Sequence, residues 1–374
     1  MWGARVGILK HSTPFWRASI NTTKMTMRSI RQADVEGKRI LMRVDFNVEF
    51  DDGFPKETYK INSVRDTIDF LLSKKGVKIA LLSHVGRPEG EKMEGLSFKN
   101  FFGEIGKVLD KKLIFVDDCV GDKVKDGLDI LRSGRILILE NVRFHVEEFE
   151  NNIDFAGELA KNFDIYVNEA FSVSHRPHAS LVKITEILPS FCGLHVEQEV
   201  ERLSKIRENP ERPSVAIIGG AKIETKFPMI KFFADSYDSV LVGGRLGIEA
   251  KNKGIVFPDN VIVPKDYIDG SLDVGPETVS LFKEKIRKSK TIIWNGPLGK
   301  FEDTRYARGT SEVLDAIVAN KLAYKVAGGG ETIQVIEEKG VIKKFDFVST
   351  GGGAMLVFLA KGTLVALEAL QNQK

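Results

Sequence analysis

The chain of 374 residues is 43% hydrophobic and 29% charged, with 34 glycines, 12 prolines and two cysteines, which excludes a disordered, collagenous or disulfide-stapled chain and suits two domains. Lys and Arg total 55 against 52 Asp and Glu, and the net charge of +3 gives no electrostatic footprint for nucleic acid. No apolar run reaches the roughly 18 residues of a membrane span. Cys119 and Cys192 form no C-x-x-C pair, so neither a zinc site nor a disulfide is supported, and a reducing compartment, the cytoplasm, is the expectation.

Residues 1–33 hold Arg5, Lys10, Arg17, Lys24, Arg28 and Arg31 and no acid, while residues 34–374 carry a net −3. Such a lead suits either an organelle transit peptide or an over-extended start ahead of Met25 and Met27. An organellar location follows only from the first.

Beyond it, short apolar, β-branched runs alternate with longer amphipathic stretches, the pattern of βαβ units. Strands are predicted at residues 39–44, 77–82, 135–139 and 165–168, then at 215–218, 239–242, 291–294 and 345–348. Apolar on both faces, they suit parallel sheets covered by helices. Between the fourth and fifth, Val196, Val200, Leu203 and Ile206 line one face of a helix expected over residues 190–206, which Pro210 and Pro213 stop. A boundary between two α/β halves therefore falls near residues 185–212.

In open parallel sheets, ligands sit beyond the carboxyl ends of the strands. In the first half those ends read Asp45-Phe-Asn47, Ser83-His-Val-Gly-Arg-Pro88, Glu140-Asn-Val-Arg-Phe-His145 and Asn168-Glu-Ala-Phe-Ser-Val-Ser-His-Arg-Pro-His178. Arg87, Arg143 and Arg176 thus share one rim with several histidines, a set matched to a small ligand bearing several negative charges. The competing expectation is that each arginine pairs with a local carboxylate, Glu140, Glu147 or Glu169. In the second half the ends are glycine-rich: Gly219-Gly-Ala-Lys222 with Lys226, Gly243-Gly244, Asn295-Gly-Pro297, Gly328-Gly-Gly-Glu-Thr332 and Thr350-Gly-Gly-Gly353. Glycine lets backbone approach phosphate, and helix N-termini add oriented N–H donors. No Walker-type loop is present.

Arg43-Val-Asp-Phe-Asn-Val48, Ser83-His-Val-Gly-Arg-Pro88, Glu140-Asn-Val-Arg-Phe-His145, Gly219-Gly-Ala-Lys222, Trp294-Asn-Gly-Pro297 and Ser349-Thr-Gly-Gly-Gly353, in this order, resemble the phosphoglycerate kinase family from about Met27 to the C-terminus. The resemblance implies an α/β enzyme of two Rossmann-like three-layer lobes, with parallel sheets joined by a hinge helix. After a lead of 1–26, residues 27–188 plus 352–374 would bind 3-phosphoglycerate and 189–351 the nucleotide. The implied reaction is reversible phosphoryl transfer between ATP and 3-phosphoglycerate, giving ADP and 1,3-bisphosphoglycerate. It would proceed in line without a covalent intermediate, in a monomer with no nucleic-acid or membrane partner.

By the same resemblance, Asp45, Asn47, Lys60, His84, Arg87, Arg143 and Arg176 would contact 3-phosphoglycerate. Lys222 and Lys226 would meet the phosphates. Gly219, Gly220, Gly243, Gly244, Ser271, Leu272, Asn295 and Pro297 would form the nucleotide pocket, with Glu302 on the ribose. Gly329, Gly330, Glu331 and Thr332 would lie beside the phosphates, with Glu331 toward Mg2+ arriving as Mg-ATP. Gly351, Gly352 and Gly353, with Lys60 and Lys222, would meet the moving charge. His145 and His178 are expected to be structural.

The departures concern the centre and the pocket. Lys60 stands where the family has arginine, keeping the charge and losing the fork. Glu331 replaces an aspartate, and Arg245 and Ser271 replace glycines. Residues 246–255 replace a long helical segment, so the nucleotide lobe is trimmed. An alternative expectation is a kinase-derived binding or regulatory protein with little turnover. A dinucleotide-linked oxidoreductase is disfavoured for want of a G-x-G-x-x-G with its downstream acid.

Overall fold

The computed structural model describes residues 27–132 and 134–372, so the lead of 1–26 lies outside the described residues. Strands β1 (Arg39–Arg43), β2 (Lys78–Leu82), β3 (Lys112–Val116), β4 (Arg135–Leu139), β5 (Ile165–Asn168) and β6 (Ser190–Cys192) form a parallel sheet in the order β3-β4-β2-β1-β5-β6. Strands β7 (Ser214–Ile218), β8 (Ser239–Val242), β9 (Val261–Ile262), β10 (Thr291–Asn295), β11 (Tyr324–Gly328) and β12 (Phe347–Ser349) form the second, in the order β9-β8-β7-β10-β11-β12. All pairings within both sheets are parallel. The second order reverses direction between β7 and β10, the switch point at which doubly wound sheets open a crevice.

Four strands of these two sheets lay outside the sequence expectation, each for a physical reason. β11 carries Lys325, whose stem is buried in the sheet while its ammonium reaches the carbonyl of Asn320 at 2.8 Å, so the apolar run looks broken. β9 has two residues, too few for a period. β3 follows Lys111 and has only Val116 fully buried. The helix expected from residue 190 begins at Leu194 instead, because Ser190–Cys192 pairs with β5 as the edge strand β6. The strand expected at residues 345–348 starts at Phe347, after a 3-10 turn over Ile342–Lys344.

The linking helix Leu194–Glu208 starts at Gly193. The carboxylate of Glu169, beyond β5, accepts from the N–H groups of His195 at 3.0 Å and Val196 at 3.2 Å, and the Thr67 hydroxyl accepts from Leu194 at 2.8 Å. A carboxylate there satisfies orphan donors and complements the helix dipole. At the other end of the chain, helices Gly353–Lys361 and Val365–Gln371 meet at 62°. The second returns to the first lobe, where Ala366 N–H donates to the Ser174 carbonyl at 3.0 Å.

Among the described residues no single helix is long and apolar enough to cross a membrane, and this bent pair alone has the length and composition to do so. Its apolar side chains, Met355, Phe358, Leu359, Leu367 and Leu370, are buried in protein. They belong to one hydrophobic cluster that runs from Leu41 and Phe171 through Val196 and Leu203 to Ala216 and Ile218, joining both sheets.

Candidate functional site

The first half of the site is built where β1, β2, β4 and β5 end. Arg43, the last residue of β1, is wholly buried. Its Nε donates to Ser180 Oγ at 2.9 Å, and its Nη2 lies 3.3 Å from His84 Nδ1 and 4.0 Å from Glu148. Asp45 accepts from the Asn47 N–H at 2.9 Å and from the Ser172 hydroxyl, and it lies 3.4 Å from Lys60 Nζ. Lys60 also donates to the Asn47 carbonyl at 3.2 Å. Burial alone would raise the Asp45 carboxyl, but Lys60 foremost, with the Ser172 and Asn47 hydrogen bonds, holds it well below the usual range. His84 is kept neutral by burial and by Arg43, Arg143 and Lys60.

Arg143 is buried and aimed by its neighbours. The Asn141 side chain accepts its N–H at 3.1 Å, and Arg143 Nη1 donates to the Gly86 carbonyl at 2.7 Å. Burial, with Arg43 and Arg176 nearby, lowers its pKa to about 10, so three guanidinium groups share one region. The Nε atoms of Arg143 and Arg176 are buried without a partner. Buried charged donors left unpaired are costly, and an anion with several oxygens would satisfy them. Two of the local carboxylates are committed elsewhere. Glu140 accepts from Ser97 Oγ at 2.6 Å, Asn141 N–H at 2.8 Å and Phe98 N–H at 3.0 Å, while Glu169 holds the linking helix. Arg87 is exposed at the lip.

The glycine ends of the second sheet serve two purposes that the sequence cannot separate. A Cβ on Gly219 would collide with the carbonyls of Gly296 and Pro297, and one on Gly243 would lie 3.0 Å from Gly219 Cα. These glycines let adjacent strand ends pack backbone to backbone at the switch point. Gly330, Gly352 and Gly353, by contrast, have nothing within 4 Å of a Cβ, so their faces are open. Lys226, on the helix Ile223–Ser236, donates to Asn295 Oδ1 at 2.5 Å, and burial lowers its pKa. Lys222 is exposed at that helix's N-terminus.

Thr332 Oγ1 accepts the Gly296 N–H at 2.7 Å, and the Gly220 N–H donates to the Pro297 carbonyl at 3.1 Å. Glu331 is exposed in the first turn of Gly330–Glu338, close enough to Lys226 to favour its charge. Leu272 is exposed and Glu302 lies on the surface. Ser271 takes a φ of +107°, the left-handed side that glycine adopts without strain. Arg245 turns along its helix toward Glu249, at 3.4 Å.

The two halves meet at the base of the last glycine loop. The Thr350 N–H donates to Glu199 Oε1 at 2.7 Å, and the Thr350 hydroxyl lies 2.8 Å from His195 Nε2. Gly351 sits against the Phe171 ring of the first lobe, where a Cβ would be 2.7 Å from Cε1. Sequence reading missed this junction. Its signal was a carboxylate on the apolar stripe of the linking helix, since Glu199 is three residues beyond Val196 and adjacent to Val200. Ser172 and Arg43 were likewise visible only inside longer motifs.

Among the histidines, His145 Nε2 lies 3.2 Å from Asp118 Oδ1, next to Cys119, and its ring packs on Phe155. His178 is buried 3.5 Å from Glu148. Cys119 and Cys192 are free and buried.

The family model described as phosphoglycerate kinase matches residues 30–250 and 248–362, its two stretches meeting inside the shortened segment. A phosphoglycerate kinase of Dictyoglomus turgidum is 35% identical, with 94% of this chain and all of that one covered. The structure of phosphoglycerate kinase from Coxiella burnetii superposes with a TM-score of 0.75 at 28% identity, covering 93% of this chain and 100% of that one. For the enzyme from Pyrococcus horikoshii the TM-score is 0.81 at 28% identity, covering 92% and 98%.

Proposed function

The chain belongs to the phosphoglycerate kinase family and is an enzyme of that class; from that premise we propose that it transfers a phosphoryl group in line between Mg-ATP and 3-phosphoglycerate, with the lobes closing over both. The observation that carries this reading is the pair of unpartnered buried guanidinium nitrogens on Arg143 and Arg176, on the lobe opposite the open glycine faces. The arginines, with His84, hold the 3-phosphate. Asp45 and Asn47 hold the hydroxyl, and Lys60 meets the carboxylate. That acceptor is already ionised near neutral pH, so no general base is needed. Lys222, Lys226 and the Gly351–Gly353 N–H groups stabilise charge on the transferred oxygens.

Gly219, Gly220, Gly243, Gly244, Ser271, Leu272, Asn295 and Pro297 line the nucleotide side, with Glu302 at the ribose. Magnesium enters with the phosphates. A hard cation that keeps several waters needs one or two carboxylates, and Glu331 is exposed beside Lys226. Closure runs through the linking helix, whose start is held by Glu169 and whose Glu199 holds Thr350.

A coupled assay of ADP formation with Mg-ATP and 3-phosphoglycerate tests the reading. Wild type turns over, and Lys60→Arg raises kcat by up to about a hundredfold by restoring the fork. Tight 3-phosphoglycerate binding without turnover in either protein would favour a binding protein instead.

A further inference from the structure

Immediately before Lys60, Tyr59 leaves its own lobe. Its hydroxyl donates to the carbonyl of Val348 at 2.7 Å, in the middle of β12, and its ring packs against the core of the second lobe. Two residues beyond Val348 begins the Thr350–Gly353 loop. Burial, then Glu199, Glu57 and Glu337, keeps the phenol protonated, so it remains a donor at every physiological pH. Glu57 accepts the N–H of Lys60, the residue after Tyr59, at 2.5 Å.

We propose that Tyr59 is a positioning residue, an interlobe clasp that sets Lys60 against the base of the glycine loop. The geometry is economical: one side chain joins the acceptor-side helix Tyr59–Asn62 to the strand that feeds the donor-side loop.

The inference rests on the phosphoryl-transfer reading for its kinetic consequence, while its structural consequence stands apart. Tyr59→Phe removes the hydroxyl and keeps the ring. We expect kcat to fall roughly five- to thirtyfold with both KM values within about twofold, the loss expected of one hydrogen bond. Small-angle scattering of the ligand-free protein should show a larger radius of gyration for Tyr59→Phe than for wild type at pH 6. Wild-type kcat and dimensions in Tyr59→Phe would overturn the clasp. Absence of turnover in wild type would count against the phosphoryl-transfer reading, and scattering would still decide the clasp.

Discussion

Arg143 shows how a single residue can be costly to the fold and useful to the site. It is buried among like charges, its Nε has no partner, and its backbone is pinned by Asn141. A lysine there would keep the charge and lose the planar fork, so Arg143→Lys should weaken 3-phosphoglycerate binding roughly tenfold or more by calorimetry. Unchanged affinity would mean that Arg143 serves structure alone. Ser271 teaches the complementary point. Its positive φ states why glycine suits that position, and the residue present accepts the strain.

At the scale of elements, the C-terminal helix Val365–Gln371 matters more than its length suggests. Leu364, Leu367 and Leu370 are buried, and the helix docks on the first lobe through Ala366. Leu367→Ala should cost about 2–5 kcal/mol in urea unfolding, the range for a buried leucine that leaves a cavity. A loss below about 1 kcal/mol would mean that the helix is not part of the cooperative core. The strands show what sequence could reach at this scale. Runs such as Ile40 to Val44 announced themselves, whereas β11 was masked by Lys325 and β6 by its three-residue length, because neighbours rather than composition define them.

For the whole molecule, stability carries a pH signature from Glu337 of the helix Gly330–Glu338, which burial pushes up to about 7. A carboxyl whose pKa is raised on folding binds more protons in the native state. Its contribution is therefore favourable at low pH and is lost as pH rises from about 4.3 in the unfolded chain toward about 7 in the fold. Glu337→Gln should accordingly be more stable than wild type at pH 8, with the difference shrinking toward pH 5, as measured by urea titration at both values. An equal difference at both would show that Glu337 is not perturbed in the native state.

By itself the sequence determined the two α/β halves, the basic character of one set of strand ends and the glycine character of the other. These depend on hydrophobic period and on residue type at turns, which are local properties. It also carried the motifs on which family membership rests, and the shortened segment at residues 246–255. Only the tertiary structure decided which glycines pack against backbone and which stay open, because a Cβ clash depends on a strand distant in the chain. The same holds for which arginines lack a carboxylate, and for Tyr59, whose partner at Val348 is brought within reach only when the two lobes meet.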